Sequence, residues 1–542
     1  MGLAFVNSKI INEKSLFFCL IIISLLPIWA NTYFPSQDGP THLENANIIS
    51  KLISANHNIY NDYFSLNYSN ASNWLLQVVL AALLLLFPIL IAEKIILSGF
   101  VILFPLSFRY CLTSINPKNS FLSFISIGFI YSYTFCMGFY SFSYSMVLYF
   151  FSFGYWLRFR KDRRKPSAQN ILLLGFLFLA TYLLHILSFV MLFTAICINL
   201  VIDIFFIDRL NENNAGGTPA SLVKNIYPLA VAVLPTAILV LFFFQNSGAA
   251  MGWDCPIWVR FERLFALFSL VCYDRLELIS SIALVIIIGS VTLYVILSRQ
   301  LTNLKSFLTG FFALVLLYSI VYFLSPDSIS GGSLISDRLS LYLFLIFIVW
   351  LGTFRYKRWL KTSVVIISIL VTLVSLYQKS IKFSEINPYI KDYMSGTELI
   401  HKSSTVLPLS YFNHGACLLD KVSIFYRIDP LINAAGYIAA QKNCVEFLNY
   451  QAGTTYFPTQ WKKYRNPYVY IGKIGYLPST IDLNSYSGTI DYVIIYCLRA
   501  ELLTEEPITS LFNQLNRSYK MIYRSKYKSI YQLKTGPKTG WE

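Results

Sequence analysis

The chain has 542 residues, of which 56% are hydrophobic and only 13% are charged, and its formal net charge is +16. A soluble chain of this size usually carries about 25% charged residues, so the apolar excess predicts a surface that faces lipid rather than a large core. This composition excludes a soluble enzyme, a disordered protein, a coiled coil and a classical nucleic-acid binder, so no nucleic-acid partner is predicted. It indicates a mainly α, polytopic membrane protein.

Apolar stretches follow one another through the first 377 residues, and a spanning helix needs about 20 mostly apolar residues. The first stretch is interpreted as a retained span rather than a cleaved signal peptide, because no convincing A-x-A cleavage site follows it. We predict about eleven spans, at 16–33, 95–111, 120–136, 139–157, 170–184, 187–206, 226–244, 279–298, 306–324, 339–353 and 362–377.

The stretch 74–91 is equally apolar, and the charge distribution decides its interpretation. Lys and Arg concentrate in short cytoplasmic loops, and the basic clusters 158–165 and 355–361 share a side with Lys9 and Lys14 only if 74–91 does not cross. The inner loops then hold 18 cations and the outer loops six. We therefore predict a cytoplasmic N-terminus, a C-terminus on the outer side, and a first outer loop, 34–94, that contains juxtamembrane helices, with 74–91 either juxtamembrane or re-entrant.

After residue 377, short β-rich runs alternate with turns, which is typical of a folded α/β domain. The runs are Thr405–Phe412, Tyr468–Tyr476, Ile490–Leu498 and Tyr519–Leu533. We predict a transmembrane domain at 1–377 and an extracytoplasmic soluble domain at 378–542.

The nine cysteines form no C-x-x-C pair and no Cys/His cluster, so no structural zinc or iron–sulfur site is predicted. In an oxidising compartment Cys417 with Cys444, and Cys255 with Cys272, are candidate disulfides, although spacing does not fix the connectivity.

Three ionisable residues gather at the start of the first outer loop. Asp38 precedes Gly39-Pro40, and a helix with an apolar face is predicted over 41–54 that contains His42 and Glu44. Ionisable groups at membrane boundaries are costly and tend to be functional. The alternative for Asp38 is that its carboxylate only caps the helix.

Two further polar positions fall on the outer side under this topology. His185 lies in the turn between two spans, and Asp337-Arg338 begins the span 339–353. The helix N-terminus adds positive potential to Arg338, which favours a phosphate clamp. The alternatives are an interfacial polar tip for His185, and pairing of Arg338 with Asp337 or snorkelling of its side chain.

The arrangement of these residues resembles the GT-C superfamily of integral membrane glycosyltransferases, which includes the protein O-mannosyltransferases and the aminoarabinose lipid A transferases. The resemblance lies in a first span, an acidic motif in the first outer loop, juxtamembrane helices and an outer C-terminal domain. Its residues are Gln37-Asp38-Gly-Pro-Thr-His42-Leu-Glu44, the stretch 74–91, Met137-Gly138-Phe-Tyr140, Leu184-His185 and Asp337-Arg338-Leu.

The resemblance implies transfer of a sugar from a polyprenyl-phosphate donor to a glycan, glycolipid or protein acceptor, with inversion at the anomeric carbon. Asp38 is then the catalytic general base, and Arg338 with His185 stabilises the leaving phosphate. His42, Glu44 and Asp337 are further expected substrate-binding residues.

Two departures from the family pattern matter. Asp38 has no acidic neighbour, whereas the family often shows an acidic pair in this loop, so neither a metal site nor another cofactor is predicted and metal dependence stays open. No W-W-D motif is present, which argues against an oligosaccharyltransferase.

The composition suggests a multi-pass protein of a bacterial inner membrane, surrounded by membrane lipids, with a periplasmic C-terminal domain. Two other functions remain as alternatives: a transporter or flippase for lipid-linked sugars without chemistry of its own, and a scaffold whose spans only anchor the outer domain. A transport path would be expected to carry charged residues within the membrane, and the predicted spans contain almost none. About eleven spans are more than a membrane anchor needs.

Overall fold

The fold is described from a computed structural model. It covers residues 12–54, 56–161, 167–202, 219–246, 251–253, 255–302, 310–329, 332–411, 426–467, 481–486, 488–498, 503–504 and 506–535.

Helices make up most of the N-terminal two thirds of the described chain. In chain order they are α1 (Glu13–Ile23), α2 (Leu26–Trp29), α3 (Gly39–Ile53), α4 (Ile59–Tyr63), α5 (Trp74–Leu84), α6 (Ile89–Ile115), α7 (Ser123–Ile127), α8 (Tyr133–Met137), α9 (Tyr140–Lys161), α10 (Ala168–Leu184), α11 (Ile186–Ile202), α12 (Pro219–Asn246), α13 (Ile257–Phe265), α14 (Glu277–Leu297), α15 (Gly310–Leu324), α16 (Ile335–Leu351), α17 (Arg358–Met394), α18 (Ala435–Lys442) and α19 (Ile508–Ser518).

Within the described residues, α6, α12, α14 and α17 are long and apolar enough to cross a membrane by length and composition. The apolar helices α10 and α11 have 17 residues each, or about 25 Å, which is slightly less than the roughly 30 Å hydrocarbon core of a typical bilayer. The chain is therefore a helical protein with membrane-spanning character, and the number of eleven spans stays a prediction.

The predicted span at 120–136 is not one helix. A 3-10 turn over Pro117–Leu122 leads into α7, and α8 follows only after a break at Gly128–Tyr131. Nearly every side chain in this segment is buried against protein. Serines explain part of the irregularity, since the Ser132 side chain caps α8 at the amide of Phe135 instead of continuing a helix.

The first predicted span, 16–33, is also interrupted, because α1 ends at Ile23 and the short α2 contains Pro27. The stretch 74–91 is divided as well. The helix α5 has 11 residues, about 16 Å, which is too short to cross a bilayer. Pro88 precedes α6, which begins at Ile89.

Nine strands are described: β1 (Phe64–Leu66), β2 (Met251–Gly252), β3 (Ser328–Ile329), β4 (Thr405–Ser410), β5 (Val445–Glu446), β6 (Thr459–Trp461), β7 (Tyr492–Tyr496), β8 (Tyr519–Arg524) and β9 (Lys528–Leu533). The C-terminal part contains a five-stranded mixed sheet in the order β5-β4-β7-β9-β8. Strand β4 pairs in parallel with β5 and β7, whereas β9 pairs antiparallel with β7 and β8.

Three of the four predicted β-rich runs contain strands of this sheet, and the fourth, Tyr468–Tyr476, lies outside the described residues. The helix α17 continues past residue 378, the predicted domain boundary, to Met394.

The C-terminal sheet region, which we call the outer domain after its predicted location, is joined to the predicted first outer loop and to the helical core. Strand β1 pairs antiparallel with β6, so that Phe64 lies opposite Trp461 and their rings are 4.2 Å apart. Residues 426–438, which we call the docking segment, place Ile428, Leu431 and Tyr437 in the same buried apolar cluster as the helical core. This packing positions outer-domain side chains against the first outer loop.

The bonding state of the cysteines differs from that of the candidate disulfides. Cys255, Cys272 and Cys444 are free thiols, whereas Cys497 is disulfide-bonded. Cys417 lies outside the described residues. The pairing of Cys255 with Cys272 and the pairing that involves Cys444 are therefore wrong; spacing alone carries no information on which chain segments meet.

Candidate functional site

Asp38 stands at the N-cap position of α3, but its side chain makes no capping hydrogen bond. Its backbone amide instead donates to the carbonyl of Met137 at 2.9 Å. The tight turn at Gly138, with φ of +101°, makes this approach possible: a Cβ there would lie 2.6 Å from the amide nitrogen of Gly39. The capping alternative for Asp38 is therefore not what the structure shows.

The carboxylate of Asp38 is held by side chains from the outer domain. Asn433 donates from Nδ2 to Oδ1 at 2.9 Å, and Tyr450 also hydrogen-bonds the carboxylate. The side chain is only 4% exposed. Burial raises the pKa of Asp38 to about 7, although both hydrogen bonds and the nearby Arg338 act to lower it. At neutral pH this carboxyl is poised between its protonated and ionised forms.

Arg338, in the first turn of α16, lies close enough to Asp38 to influence its ionisation. Its Nη1 donates to Nε2 of His185 at 2.9 Å, and the guanidinium packs over the ring of Phe139 at 4.6 Å. Among the described residues its buried Nε has no hydrogen-bond partner. Since buried donors are almost always satisfied, the unused Nε–H is suited to an anionic ligand.

His185 is placed by the break between α10 and α11, where it ends α10 in an extended conformation. Burial, followed by the repulsive effect of the Arg338 cation, lowers its pKa well below the ordinary value. His185 is therefore neutral at physiological pH and accepts the Arg338 hydrogen bond. The sequence predicted that His185, Arg338 and Asp38 share one face, and the structure brings them together.

Asp337 does not pair with its neighbour Arg338. Both of its carboxylate oxygens accept hydrogen bonds from Nη2 of Arg427 in the docking segment, at 3.0 and 3.2 Å. Arg427 also donates to the carbonyls of Phe268 and Val271, and its guanidinium stacks 3.6 Å from the ring centre of Tyr133. The Asp337 charge is thus neutralised by Arg427, which leaves the Arg338 charge available.

The ring of His42 hydrogen-bonds two other protein groups. Nδ1 is hydrogen-bonded to Nε2 of Gln77 in α5, and the ring also hydrogen-bonds the backbone of Gly138. Burial lowers its pKa to about 4, so the imidazole is neutral at pH 7. These contacts tie α3 and α5 to the turn that holds Asp38, and a direct contact of His42 with substrate stays a prediction.

Glu44, six residues after Asp38, is fully buried in α3, where it lies against Glu446 and Asn449 of the outer domain. Burial and the adjacent Glu446 carboxylate raise the pKa of Glu44 well above its usual range. Two neighbouring buried carboxyls of this kind titrate as a pair. A role of Glu44 in substrate binding stays a prediction.

Four residues of this region were missed by the sequence analysis: Asn433, Tyr450, Arg427 and Glu93. Glu93 is buried at the start of α6, where it accepts hydrogen bonds from the hydroxyls of Tyr437, at 3.0 Å, and Tyr140, at 3.3 Å. A carboxylate beside Lys94 in an apolar stretch was a visible signal for it. The other three lie in the outer domain, and their partners are distant in sequence.

The site is closed to bulk solvent. Asp38 is 4% exposed and Arg338 is 8% exposed. A cavity of about 10 Å³, bordered by Asp337, Arg263 and Tyr322, lies nearby and is near the size of one water molecule. In the described part of the chain, no group of three or more His, Cys, Asp or Glu side chains is placed to hold a metal ion.

No protein-family model matches the sequence, and no curated protein matches it. A search of solved structures found the archaeal oligosaccharyltransferase AglB from Archaeoglobus fulgidus, in complex with an inhibitory peptide and a dolichol-phosphate. The identity is 10% and the TM-score is 0.40, over 89% of this chain and 69% of that one. At this low similarity the match describes a distant likeness and carries no functional conclusion.

Proposed function

We propose that the chain is a membrane glycosyltransferase that moves a sugar from a polyprenyl phosphate to an acceptor hydroxyl on a glycan, glycolipid or protein. The observation that carries the proposal is the meeting of Asp38 and Arg338 in one buried site. A carboxylate that titrates near neutrality stands there beside a guanidinium with an unused donor.

In the proposed reaction, Asp38 accepts the proton of the acceptor hydroxyl while the acceptor oxygen bonds to the anomeric carbon. The bond between that carbon and the phosphate oxygen breaks, and the phosphate leaves with the electron pair. Attack opposite to the leaving group inverts the anomeric centre. A base with a pKa near the working pH combines the ionised form with useful basicity, which supports this role for Asp38.

Arg338 stabilises the charge that develops on the departing lipid phosphate. Its Nε–H is the unused donor, while its Nη1 is held by the neutral imidazole of His185. Fixed donors aimed at developing charge in a water-poor site are among the largest contributions to catalysis. In this proposal His42 orients the turn around Asp38. The pairing of Asp337 with Arg427 keeps the charge of Arg338 available for the phosphate.

The proposed location is a cell inner membrane, with the N-terminus in the cytoplasm and the outer domain in the periplasm. Lipid-linked sugars are the donors that this side offers, because nucleotide sugars are not expected outside the cytoplasm. The apolar helices and the basic inner loops of the sequence support this orientation.

The proposal is tested with proteoliposomes that contain the full chain and a panel of synthetic polyprenyl-phosphate sugars, to which cell-envelope extract is added as the acceptor source. Acceptor-dependent release of free polyprenyl phosphate, lost in Asp38→Asn, is the expected result. Movement of the intact lipid-linked sugar between leaflets without any release would instead support the transporter alternative.

A further inference from the structure

The outer domain reaches into the site through the docking segment. Its residues engage the first outer loop and the helical core at four places, each through a polar contact or close packing. These are Arg427 with Asp337, the amide of Asp429 with Oε1 of Gln37, Asn433 with Asp38, and Tyr437 with Glu93. The backbone of Gly436 lies so close to Pro40 that an added Cβ would be 2.6 Å from the Pro40 carbonyl.

We infer that the outer domain completes the site and that Asn433 is a positioning residue for Asp38: its amide orients the carboxylate and favours the ionised form. This inference rests on the proposed function for its catalytic meaning. It assigns to the outer domain a direct part in preparing the base, in place of a role in packing alone.

The geometry separates this contact from ordinary docking. The carboxylate of Asp38 leaves its own helix uncapped and turns towards Asn433 and Tyr450 instead. The helix α18 begins at Ala435, two residues after Asn433, and the carbonyl of Asn433 accepts a hydrogen bond from the amide of Gly436. The position of the Asn433 amide is therefore set by the helix start and by the neighbouring contacts, and removal of the amide alone leaves those contacts in place.

Other groups that face Asp38 act on the same carboxylate. Arg338 approaches from α16 and Tyr450 from the outer domain. Tyr133 of α8 lies within electrostatic range, and His42 follows one turn later in α3. Arg338 and the two hydrogen-bond donors favour the ionised form, whereas burial opposes it. Loss of Asn433 removes one of three favourable contributions, so the carboxyl should protonate more readily.

The experiment is an infrared titration of the detergent-purified full chain. Difference spectra between each protein and its Asp38→Asn counterpart isolate the carboxyl band of Asp38, and no substrate is required. In Asn433→Ala the midpoint should move to higher pH by about one to two units, the range expected for loss of a hydrogen bond to a charged group. Asn433→Asp, which adds a like charge, should move it upward as well.

Two control variants separate positioning from folding. Tyr437→Phe removes a hydrogen bond from the same segment to a different carboxylate, and Gln441→Ala changes an exposed side chain of α18. Tyr437→Phe should lower the melting temperature without a comparable shift of the Asp38 midpoint, and Gln441→Ala should change neither. An unmoved midpoint in both Asn433 variants, or an equal shift in Tyr437→Phe, would overturn the inference.

Failure of the proposed function has a different outcome. If the midpoint moves in Asn433→Ala but Asp38→Asn still supports release of polyprenyl phosphate, Asn433 positions the carboxyl as inferred and Asp38 is not the base. If release is lost in Asp38→Asn but the titration midpoint of Asp38 does not move in the Asn433 variants, the proposed transferase function is supported and the inference about Asn433 is wrong.

Discussion

The side-chain amide of Asn433 donates a 2.9 Å hydrogen bond to the carboxylate of Asp38, from a position 395 residues further along the chain. The contact joins the outer domain to the first outer loop beside Arg338 and His185. It links a residue that the sequence marked as a candidate base to a residue that carried no signal.

The first prediction concerns Asp38→Asn. Transfer should fall by about 100- to 10,000-fold, the usual contribution of a positioned proton acceptor. The free energy of unfolding, in contrast, should increase in Asp38→Asn. Because the pKa rises from 3.8 in the unfolded chain to about 7 in the folded protein, the native state favours the protonated carboxyl.

The pH dependence has a definite sign. The stability associated with Asp38 is fully present below about pH 4 and is lost as the pH rises towards 7. The loss amounts to about 4 kcal/mol as an upper bound. Thermal unfolding at pH 5 and pH 8 should therefore show a larger stabilisation by Asp38→Asn at pH 8. Equal effects at both values would contradict the assignment of a raised pKa.

The second prediction concerns the charge and shape of Arg338. Arg338→Lys keeps the charge but loses the planar fork that reaches His185 and leaves Nε free. Use of the polyprenyl-phosphate donor should weaken by about 10- to 100-fold, as expected for loss of a charge-assisted hydrogen bond. The matched control is Arg275→Lys, an exposed arginine over the ring of Tyr426. Steady-state kinetics at varied donor concentration compares the two variants. An equal dependence on donor concentration in both would contradict the proposed role of Arg338 in binding the phosphate.

The third prediction concerns the pair Asp337 and Arg427. Arg427→Ala leaves a buried carboxylate without its cation, which typically costs about 3–5 kcal/mol. The freed Asp337 should then compete for Arg338 and lower activity. Asp337→Asn in the same chain should recover part of both losses.

A double-mutant cycle on unfolding and on transfer measures this coupling. Additive effects of the two substitutions on transfer would show that Asp337 and Arg427 do not act on Arg338 as a unit.

The fourth prediction concerns the turn that faces Asp38. Gly138→Ala adds a Cβ at a backbone conformation with φ of +101°, 2.6 Å from the amide nitrogen of Gly39 and 3.0 Å from backbone atoms of Asp38. The turn must shift and displace Asp38, so transfer should be largely lost. Gly289→Ala is the matched control, because its Cβ would meet nothing within 4 Å. Transfer assays and melting temperatures should show Gly289→Ala close to the wild type, and a fully active Gly138→Ala protein would contradict the geometry of the turn.

The sequence predicted the parts of the site that topology alone brings together. Asp38, His185 and Arg338 were grouped by the side of the membrane that each loop was predicted to occupy, and the structure places them in contact or in electrostatic range. The helix after Gly39-Pro40 and the strands around 405, 492 and 528 also followed from local pattern, because periodicity and turn residues are local signals.

Long-range tertiary contacts were not predictable in the same way. Nothing in the sequence around Asn433 or Arg427 states that their partners are Asp38 and Asp337, since those contacts depend on how the docking segment packs into the helical core. The segment 120–136 was misjudged for a related reason. Its apolar composition matches a lipid-facing span, but its serines and Gly128 allow short helices that protein, not lipid, surrounds.

The most direct test of the central claim is mass spectrometry of surface glycans and glycolipids from cells that lack this chain. These cells are complemented in parallel with the wild type, Asp38→Asn and Gly289→Ala. The account predicts a sugar-sized mass increment on one class of molecule, restored by the wild type and by Gly289→Ala but not by Asp38→Asn. Restoration by Asp38→Asn at equal expression would contradict it, and the carboxylate of Asp38 would then have no part in the chemistry.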